Sequence, residues 1–541
     1  MTAPHFASIF DAFAAAAEAA PDNAFLAVPP RAGRHYHADG FEITYGAART
    51  ETAALADLYR RSGYGPGHRI GLLLENRPDY LLHMLALNAL GVSVVPVNPD
   101  YAHGELIYLM DHSECDLVVS IPDRVASIEA AGAGRDKPLP VITFDTLPET
   151  LPAPPKAAEP GQPETGTEAL LLYTSGTTGR PKGCIITNHY GLNSGAWYQN
   201  FGGRLSIEPD RERLYNPLPL FHMNAGIVSF VCMLLARGCQ ILPDRFHPST
   251  WWEEIVATRA TVIHYLGIVP PVLINQPVSE AESRHTVKFG LGAGIEPELH
   301  AQVEERFGFP FVEVWGMTET GRIFADAFEP RQVETRAFGR PNDAMQARVV
   351  DDDDNDVARG QEGELLVRAH GPDPRAGFFA GYLKNSEATE DAWRGGWFHT
   401  GDVVRQSADG MLYFVDRKKN IIRRSGENIA AAEIEAALQA HDAVAQIAVI
   451  AAPDELRDEE VMACIVPMPG FEPGAVLARR LFDYCMGELA YYKAPGWVLF
   501  VDRLPTTGTQ KVQKTEIFAA GVDPREQPGI IDMRSAKRRK T

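Results

Sequence analysis

The chain has 541 residues, 45% of them hydrophobic and 23% charged, with a formal net charge of −20. That length exceeds what one core serves, so two or more domains are expected. The acidic balance argues against a general affinity for nucleic acid or for an anionic membrane.

The opening FASIFDAFAAAAEAA is interrupted by Asp11 and Glu18 and follows no basic run, so it does not read as a signal peptide. Residues 41–100 alternate helical and strand patterns. Tyr45–Ser62 has apolar residues at helical spacing, Ile70–Leu74 reads as a buried strand, Asp79–Leu90 as a helix and Val92–Pro96 as a strand. This is the pattern of an α/β fold with a parallel sheet. Leu151–Glu168, rich in Pro, Gly, Glu and Thr, reads as a surface linker between two lobes. A second α/β pattern runs from Leu170 to about Phe338, and the short runs around Gln346–Val350 and Gly363–Arg368 suggest a small β-barrel. From Asp416 the chain reads as a small α+β unit, with helices at Ala431–Gln439 and Ala475–Leu489 and a strand at Ala443–Ala451. The cut falls at Asp416–Lys419, giving domains 1–415 and 416–541. The longest apolar stretch, Ala225–Ala236, is short of the ~20 residues a bilayer span needs. Six cysteines (115, 184, 232, 239, 464 and 485) lack metal-finger spacing and read as reduced core residues of a cytoplasmic protein. The closing Lys537–Lys540 run is expected to be a frayed, solvated tail.

The sharpest local signal is Leu171–Gly183, LLYTSGTTGRPKG. A strand ends at Tyr173 and releases a loop whose glycines let successive amides turn toward an anion. Thr174, Ser175, Thr177 and Thr178 add hydroxyl donors around Gly176, and Lys182 adds charge. Pro181 stands where a Walker loop requires glycine, so the loop is of another kind.

The order S-G-T-T-G-x-P-K-G resembles the phosphate loop of the adenylate-forming superfamily, which comprises acyl- and aryl-CoA synthetases, peptide-synthetase adenylation domains and luciferases. The resemblance extends over nearly the whole chain. Trp315-Gly316-Met317-Thr318-Glu319 resembles the motif whose aromatic residue stacks on adenine, whose threonine holds the α-phosphate and whose glutamate reaches Mg²⁺, with Thr174 as a further metal contact. Gly292-Ala293-Gly294 resembles the glycine-rich strand end beside adenine. Asp402 and Arg417 match the ribose-binding pair, and Lys419 the hinge. Arg423 would approach the AMP phosphate, and Ser425, Gly426 and Glu427 would border the coenzyme A tunnel. Leu504–Lys511 matches the segment of the catalytic lysine, here Lys511. Gln510 stands where the family has glycine, which reduces backbone freedom at that loop, and Lys514 is a nearby decoy.

Leu218–His222 resembles the substrate-gating segment. His222, Met223, Asn224, Gly226, Ile227, Gly267 and Ile268 are the expected acyl-pocket residues, His222 closing on the acyl or thiol path. The text from Phe378 to Ile429 most resembles crotonobetaine/carnitine–CoA ligases, which implies a small-to-medium acid. Arg322 reads as a surface ion pair, or as a partner for a second polar group of the acid.

The resemblance implies a ligase. A carboxylate attacks MgATP to give an acyl-adenylate and pyrophosphate, and the small domain then turns about Lys419 so that coenzyme A takes the acyl group and AMP leaves. A lysine bridging two anionic reactants offsets their repulsion. A carrier-protein thiol or an amine is the alternative acceptor. A dead nucleotide-binding regulatory protein is opposed by the presence of both Lys511 and Glu319. A homodimer is left open.

Overall fold

A computed structural model describes residues 6–537, apart from 102, 175–180, 425–426, 456, 490, 507–511 and 520. The chain forms two compact units. One comprises the chain up to Gln346 with Arg368–Phe398, the other Ala347–Val367 with the chain from His399 onward.

The first unit holds two sheets. The six-stranded sheet runs Val141–Thr143, Leu117–Ser120, Arg69–Leu73, Ser93–Pro96, Glu168–Thr174, Lys182–Thr187, parallel except for the final hairpin. Two of its inner strands, Leu117–Ser120 and Ser93–Pro96, are buried throughout, as a sheet covered on both faces requires. The helix Tyr45–Arg61 starts where Thr44 accepts a hydrogen bond from the Ala47 amide, and it buries Tyr45, Ala48, Thr52, Ala56 and Tyr59 at helical spacing. Pro78 opens the helix Pro78–Asn88, where a missing N–H costs nothing.

The eight-stranded sheet runs Phe324–Ala325, Phe311–Trp315, Phe289–Ala293, Val262–Leu266, Arg213–Tyr215, Cys239–Ile241, Ala24–Val28, Phe41–Thr44. Two expectations change here. The N-terminal strand Ala24–Val28 pairs with Cys239–Ile241, so this sheet draws on both ends of the unit. The 151–168 segment does not separate lobes, because the strand after it returns to pair with Ser93–Pro96. It is a strap on residues 62–68: Tyr64 donates to the Pro152 carbonyl, the His68 ring meets the Lys156 carbonyl, and the Glu159 amide donates to the Pro66 carbonyl.

In the second unit, strands Glu362–Ala369, Phe398–Gln406 and Leu412–Arg417 lie side by side in one sheet. A second sheet contains the hairpin Ile421–Arg424/Glu427–Ala430, the long pair Val444–Asp454/Asp458–Pro467, then Trp497–Phe500 and Ile531–Asp532. Helices Ala431–Gln439 and Ala475–Glu488 cover it, burying Ile434, Leu438, Leu477, Leu481 and Phe482.

Candidate active site

Three adjacent parallel strands, Val262–Leu266, Phe289–Ala293 and Phe311–Trp315, end together at Gly267, Gly294 and Gly316. Carboxyl ends of parallel strands are where α/β sheets bind ligands. Gly294 has φ +90°, and a Cβ at Gly267 would run into the Gly294 carbonyl oxygen, so the two strand ends approach as only glycines allow. Glu313 fixes this turn. Its carboxyl accepts from the Gly294 amide (2.9 Å), the Ile295 amide (3.1 Å) and the Tyr265 hydroxyl (2.9 Å). Burial pushes its pKa up to about 7 against those three hydrogen bonds. Sequence reasoning missed Glu313; the signal was a lone carboxylate inside the apolar strand run FVEVW. Beside it Trp315 is buried, near-parallel to Phe324 at 5.7 Å and tilted against Phe338.

The turn after Trp315 is held at both main chain and side chain. Tyr190 donates to the Thr318 carbonyl (2.7 Å), the Phe379 amide to the Glu319 carbonyl (2.9 Å), and Thr320 to the Arg322 carbonyl (2.8 Å). The Glu319 carboxylate is buried, and its Oε1 accepts from the Tyr382 hydroxyl (2.9 Å). Burial and Glu319 both raise the Tyr382 pKa, so the phenol keeps its proton and donates. Lys182 Nζ lies 4.7 Å from the centre of the same ring. Lys182 stands opposite Thr174 in the hairpin whose strand runs one residue beyond Tyr173. The structure thus brings Thr174, Lys182, Thr318 and Glu319 onto connected elements, while Ser175, Gly176, Thr177 and Thr178 lie outside the described residues.

Arg322 corrects an expectation. It is buried, donates to the Ala344 (2.8 Å) and Ala376 (2.6 Å) carbonyls, lies 5.2 Å from the Phe378 ring, and has no carboxylate partner among the described residues. Burial lowers its pKa to about 10. It ties two loops together instead of forming a surface ion pair.

The 218–228 segment is braced by Asn76, which accepts from the Leu220 amide (2.9 Å) and donates to the Leu218 (3.0 Å) and Pro243 (3.2 Å) carbonyls. No local pattern marked Asn76 for this task. His222 is exposed, and desolvation by the surrounding protein holds its pKa down to about 4, so the ring is neutral at pH 7. Asn224–Val228 is one turn of π-helix, a form concentrated at functional sites. Asn224 is half-buried. Its Oδ1 lies 2.7 Å from His264 Nδ1 and 2.9 Å from Asn216 Nδ2, while the Tyr198 hydroxyl lies 3.0 Å from His264 Nε2. Ile268 is 46% exposed and Met223 half-buried. Ile227 is wholly buried and supports the turn from behind, presenting no surface to a ligand, and Gly226 is buried too.

In the second unit Asp402 and Arg417 face each other across two strands, Oδ1 to Nε 2.7 Å, with Asp402 only 1% exposed. Asp416 accepts from the Arg417 amide (2.7 Å), Asn420 Nδ2 (3.1 Å) and the Ala432 amide (2.8 Å), securing the short 3₁₀ turn Lys418–Asn420 that contains Lys419. Arg423 and Glu427 lie on the two strands of the 421–430 hairpin. Thr506 and Val512 bridge the base of the segment that carries Lys511. Lys511, Gln510, Ser425 and Gly426 lie outside the described residues. Lys514, the nearby decoy, pairs with Glu435 at 2.8 Å.

Residues 13–383 match the family model of the AMP-binding enzyme, and residues 433–511 that of the AMP-binding enzyme C-terminal domain. The chain belongs to the AMP-binding enzyme family. This family member is 32% identical over 521 residues to the sulfoacetate–CoA ligase of Cupriavidus necator, covering 94% of this chain and 98% of that one. It is 28% identical over 495 residues to the crotonobetaine/carnitine–CoA ligase of Proteus mirabilis, covering 88% and 93%. ATP-bound MatB from Rhodopseudomonas palustris shares the fold, with TM-score 0.78 at 24% identity, covering 94% of this chain and 98% of that one. The AMP-binding enzyme described here is an ATP-dependent carboxylate–CoA ligase, an acyl-CoA synthetase that uses ATP, coenzyme A and a carboxylic acid. Among the described residues no helix is long and apolar enough to cross a membrane.

Proposed function

We propose that this ligase activates a short carboxylic acid bearing a second hydrogen-bond-accepting group, of the sulfonate or carboxylate kind. The observation that carries this reading is the orientation of the Asn224 carboxamide. His264 is fully buried and its pKa is held near 3, so it is neutral. With the Tyr198 hydroxyl donating to Nε2, the ring proton sits on Nδ1 and is donated to Asn224 Oδ1. Asn216 Nδ2 is the second donor to the same oxygen. The oxygen thereby has two donors, and Nδ2 of the half-buried carboxamide has no partner among the described residues, which leaves its two N–H donors for a ligand in our reading. Two donors on the segment that also carries the neutral His222 would favour an acceptor at the far end of the acid. The 32% identity to a ligase named for sulfoacetate supports the same class.

The site residues take these roles in our reading. Thr174, Ser175, Gly176, Thr177, Thr178 and Lys182 hold the phosphates of ATP. Gly292, Ala293, Gly294 and Trp315 flank adenine, with Gly316 and Met317 shaping the turn. Thr318 positions the α-phosphate, and Asp402 with Arg417 holds the ribose. A buried carboxylate anchored by Tyr382 fits a hard cation, so Glu319 with Thr174 would hold Mg²⁺, which supplies charge neutralisation at the phosphates. Lys511 bridges the acid and the α-phosphate, and its charge offsets the repulsion of two anions. Gly267 and Ile268 wall the acyl pocket. Residues 416–541 then turn about Lys419, Arg423 approaches the AMP phosphate, and Ser425, Gly426 and Glu427 admit coenzyme A. All six cysteines are buried and free, which suits a reducing cytoplasm, and a homodimer is the association state to test by light scattering.

The deciding experiment is pyrophosphate release over a panel of acids, with and without coenzyme A. Short sulfonate-bearing and dicarboxylic acids should lead it. An apolar aryl or alkyl acid at the head of the ranking would sink the substrate reading. Pyrophosphate without coenzyme A consumption would point to another acceptor.

A further inference from the structure

Residues 531–537, which include the first lysine of the run expected to be a frayed tail, are built into the second unit. Ile531–Asp532 pairs with Trp497–Val498, the Met533 amide donates to the Gly496 carbonyl, and Met533 sits in the core. Arg534 pairs with Asp454 at 3.0 Å, its guanidinium 4.1 Å from the centre of the Trp497 ring. Lys537 ends this run with a side chain only 1% exposed, while residues 538–541 lie outside the described set.

Lys537 meets Glu460 on the strand Asp458–Pro467. Glu460 is wholly buried, and a Cβ at Gly496 would collide with its side chain, so glycine there makes the room it occupies. Its Oε1 accepts from Lys537 Nζ (2.5 Å) and from the Val461 amide (2.8 Å), and its Oε2 accepts from Arg424 Nε (2.8 Å). Arg424, 3% exposed, closes the first strand of the 421–430 hairpin and stands opposite both Glu427 and Asp458. One buried carboxylate therefore joins the end of the chain to the hairpin at the residue before its turn. Removing one partner of such a junction leaves a buried charge with fewer contacts, and the remaining pair is free to shift.

We propose that Lys537 is a positioning residue for the coenzyme A half-reaction, holding Glu460 and through it Arg424 and the 421–430 hairpin. The inference rests on the reading that Ser425–Glu427 borders the coenzyme A path. It concerns the second step, because among the described residues the partners given above for the tail include none of those assigned to adenylation.

The test compares Lys537→Met, Lys537→Arg and the parent enzyme in full-length form. Acid-dependent ATP–pyrophosphate exchange without coenzyme A should stay within about twofold, while coenzyme A consumption from supplied acyl-adenylate should fall about tenfold in Lys537→Met and recover in Lys537→Arg. Amide exchange at Ile422 and Ile429 should quicken in Lys537→Met alone. Parallel loss of both half-reactions, or unchanged exchange at the hairpin, overturns the proposal. Ser425→Trp in the parent separates the underlying reading: if it leaves coenzyme A consumption intact, the hairpin is not on that path, whatever Lys537 does to its exchange.

Discussion

Asn224→Asp isolates the recognition step with little change of shape. The new carboxylate still accepts from His264 Nδ1 and Asn216 Nδ2, at the 2.7 and 2.9 Å now seen, so the buried network keeps its bonds. What changes is the outward face, where two donors become an anionic acceptor. A carboxylate beside an imidazole raises its pKa by about 1–3 units, which moves His264 from about 3 to no more than about 6, so it stays neutral at pH 7. Losing a hydrogen bond to a charged group costs about 1.5–3 kcal/mol, and repulsion between two anions near the surface adds to it. At 1.4 kcal/mol per tenfold, kcat/KM for a sulfonate-bearing or dicarboxylic acid should fall at least about 100-fold, while a plain short acid of similar length stays within about threefold. The assay is pyrophosphate release at saturating ATP, with thermal unfolding of the variant as the control for folding. Equal losses on both acids would refute the reasoning, since they would place Asn224 in a step common to all substrates. No loss on either would show that the amide does not face the acid.

Three further outcomes follow from the same geometry. Lys511→Ala should abolish acid-dependent pyrophosphate release yet still let coenzyme A consume a supplied acyl-adenylate; equal loss of both steps would remove Lys511 from its assigned role. Tyr382→Phe takes away the donor that anchors Glu319 and should lower activity about tenfold at limiting Mg²⁺, with recovery at high Mg²⁺; a loss independent of Mg²⁺ contradicts the metal assignment. Stability should vary with pH through buried groups of opposite sense. His83 and His264 have folded pKa values lowered to about 4 and about 3, so their contribution is full above pH 6.5 and is lost as pH falls. Glu313, raised to about 7, contributes fully below pH 4.5 and less as pH rises through 7. The contribution of these three groups should therefore be steepest between about pH 4.5 and 4 and ease again below that. His83→Gln keeps an acceptor for the Tyr59 hydroxyl and removes one titration, so its loss between pH 6.5 and 4 in urea unfolding should be smaller by roughly 3 kcal/mol.

Whereas the helix at 78–88 is buried on nearly every side, those at 45–61, 431–439 and 475–488 were legible because each buries one stripe of its surface at the helical period. Sheet membership was not. Leu26 pairs with Gln240, and a contact between residues so far apart leaves no periodic trace at either one. Charged residues misled for a related reason. Arg322 and Lys537 read as solvated cations, since a sequence shows a charge but not its surroundings. Two carbonyls hold the first in the interior, and Glu460, 77 residues away, holds the second.

The two halves of the substrate problem differ in the same way. Phosphate binding calls for amides, hydroxyls and a lysine, and the sequence of the 174–182 segment carries those residue types in order. In the reading proposed above, the acid meets a group whose facing is set from behind. Asn224 could be named as a pocket wall by position, but its direction depends on Asn216, His264 and Tyr198, which come from three other elements and share no spacing. Reversing that carboxamide would present an acceptor instead of two donors and reverse the preferred substrate, with no change at the wall itself. A specificity held in this second layer is therefore read only once the fold has brought the four side chains together, and altering the acid should require changes at Asn216, His264 or Tyr198 as much as at Asn224.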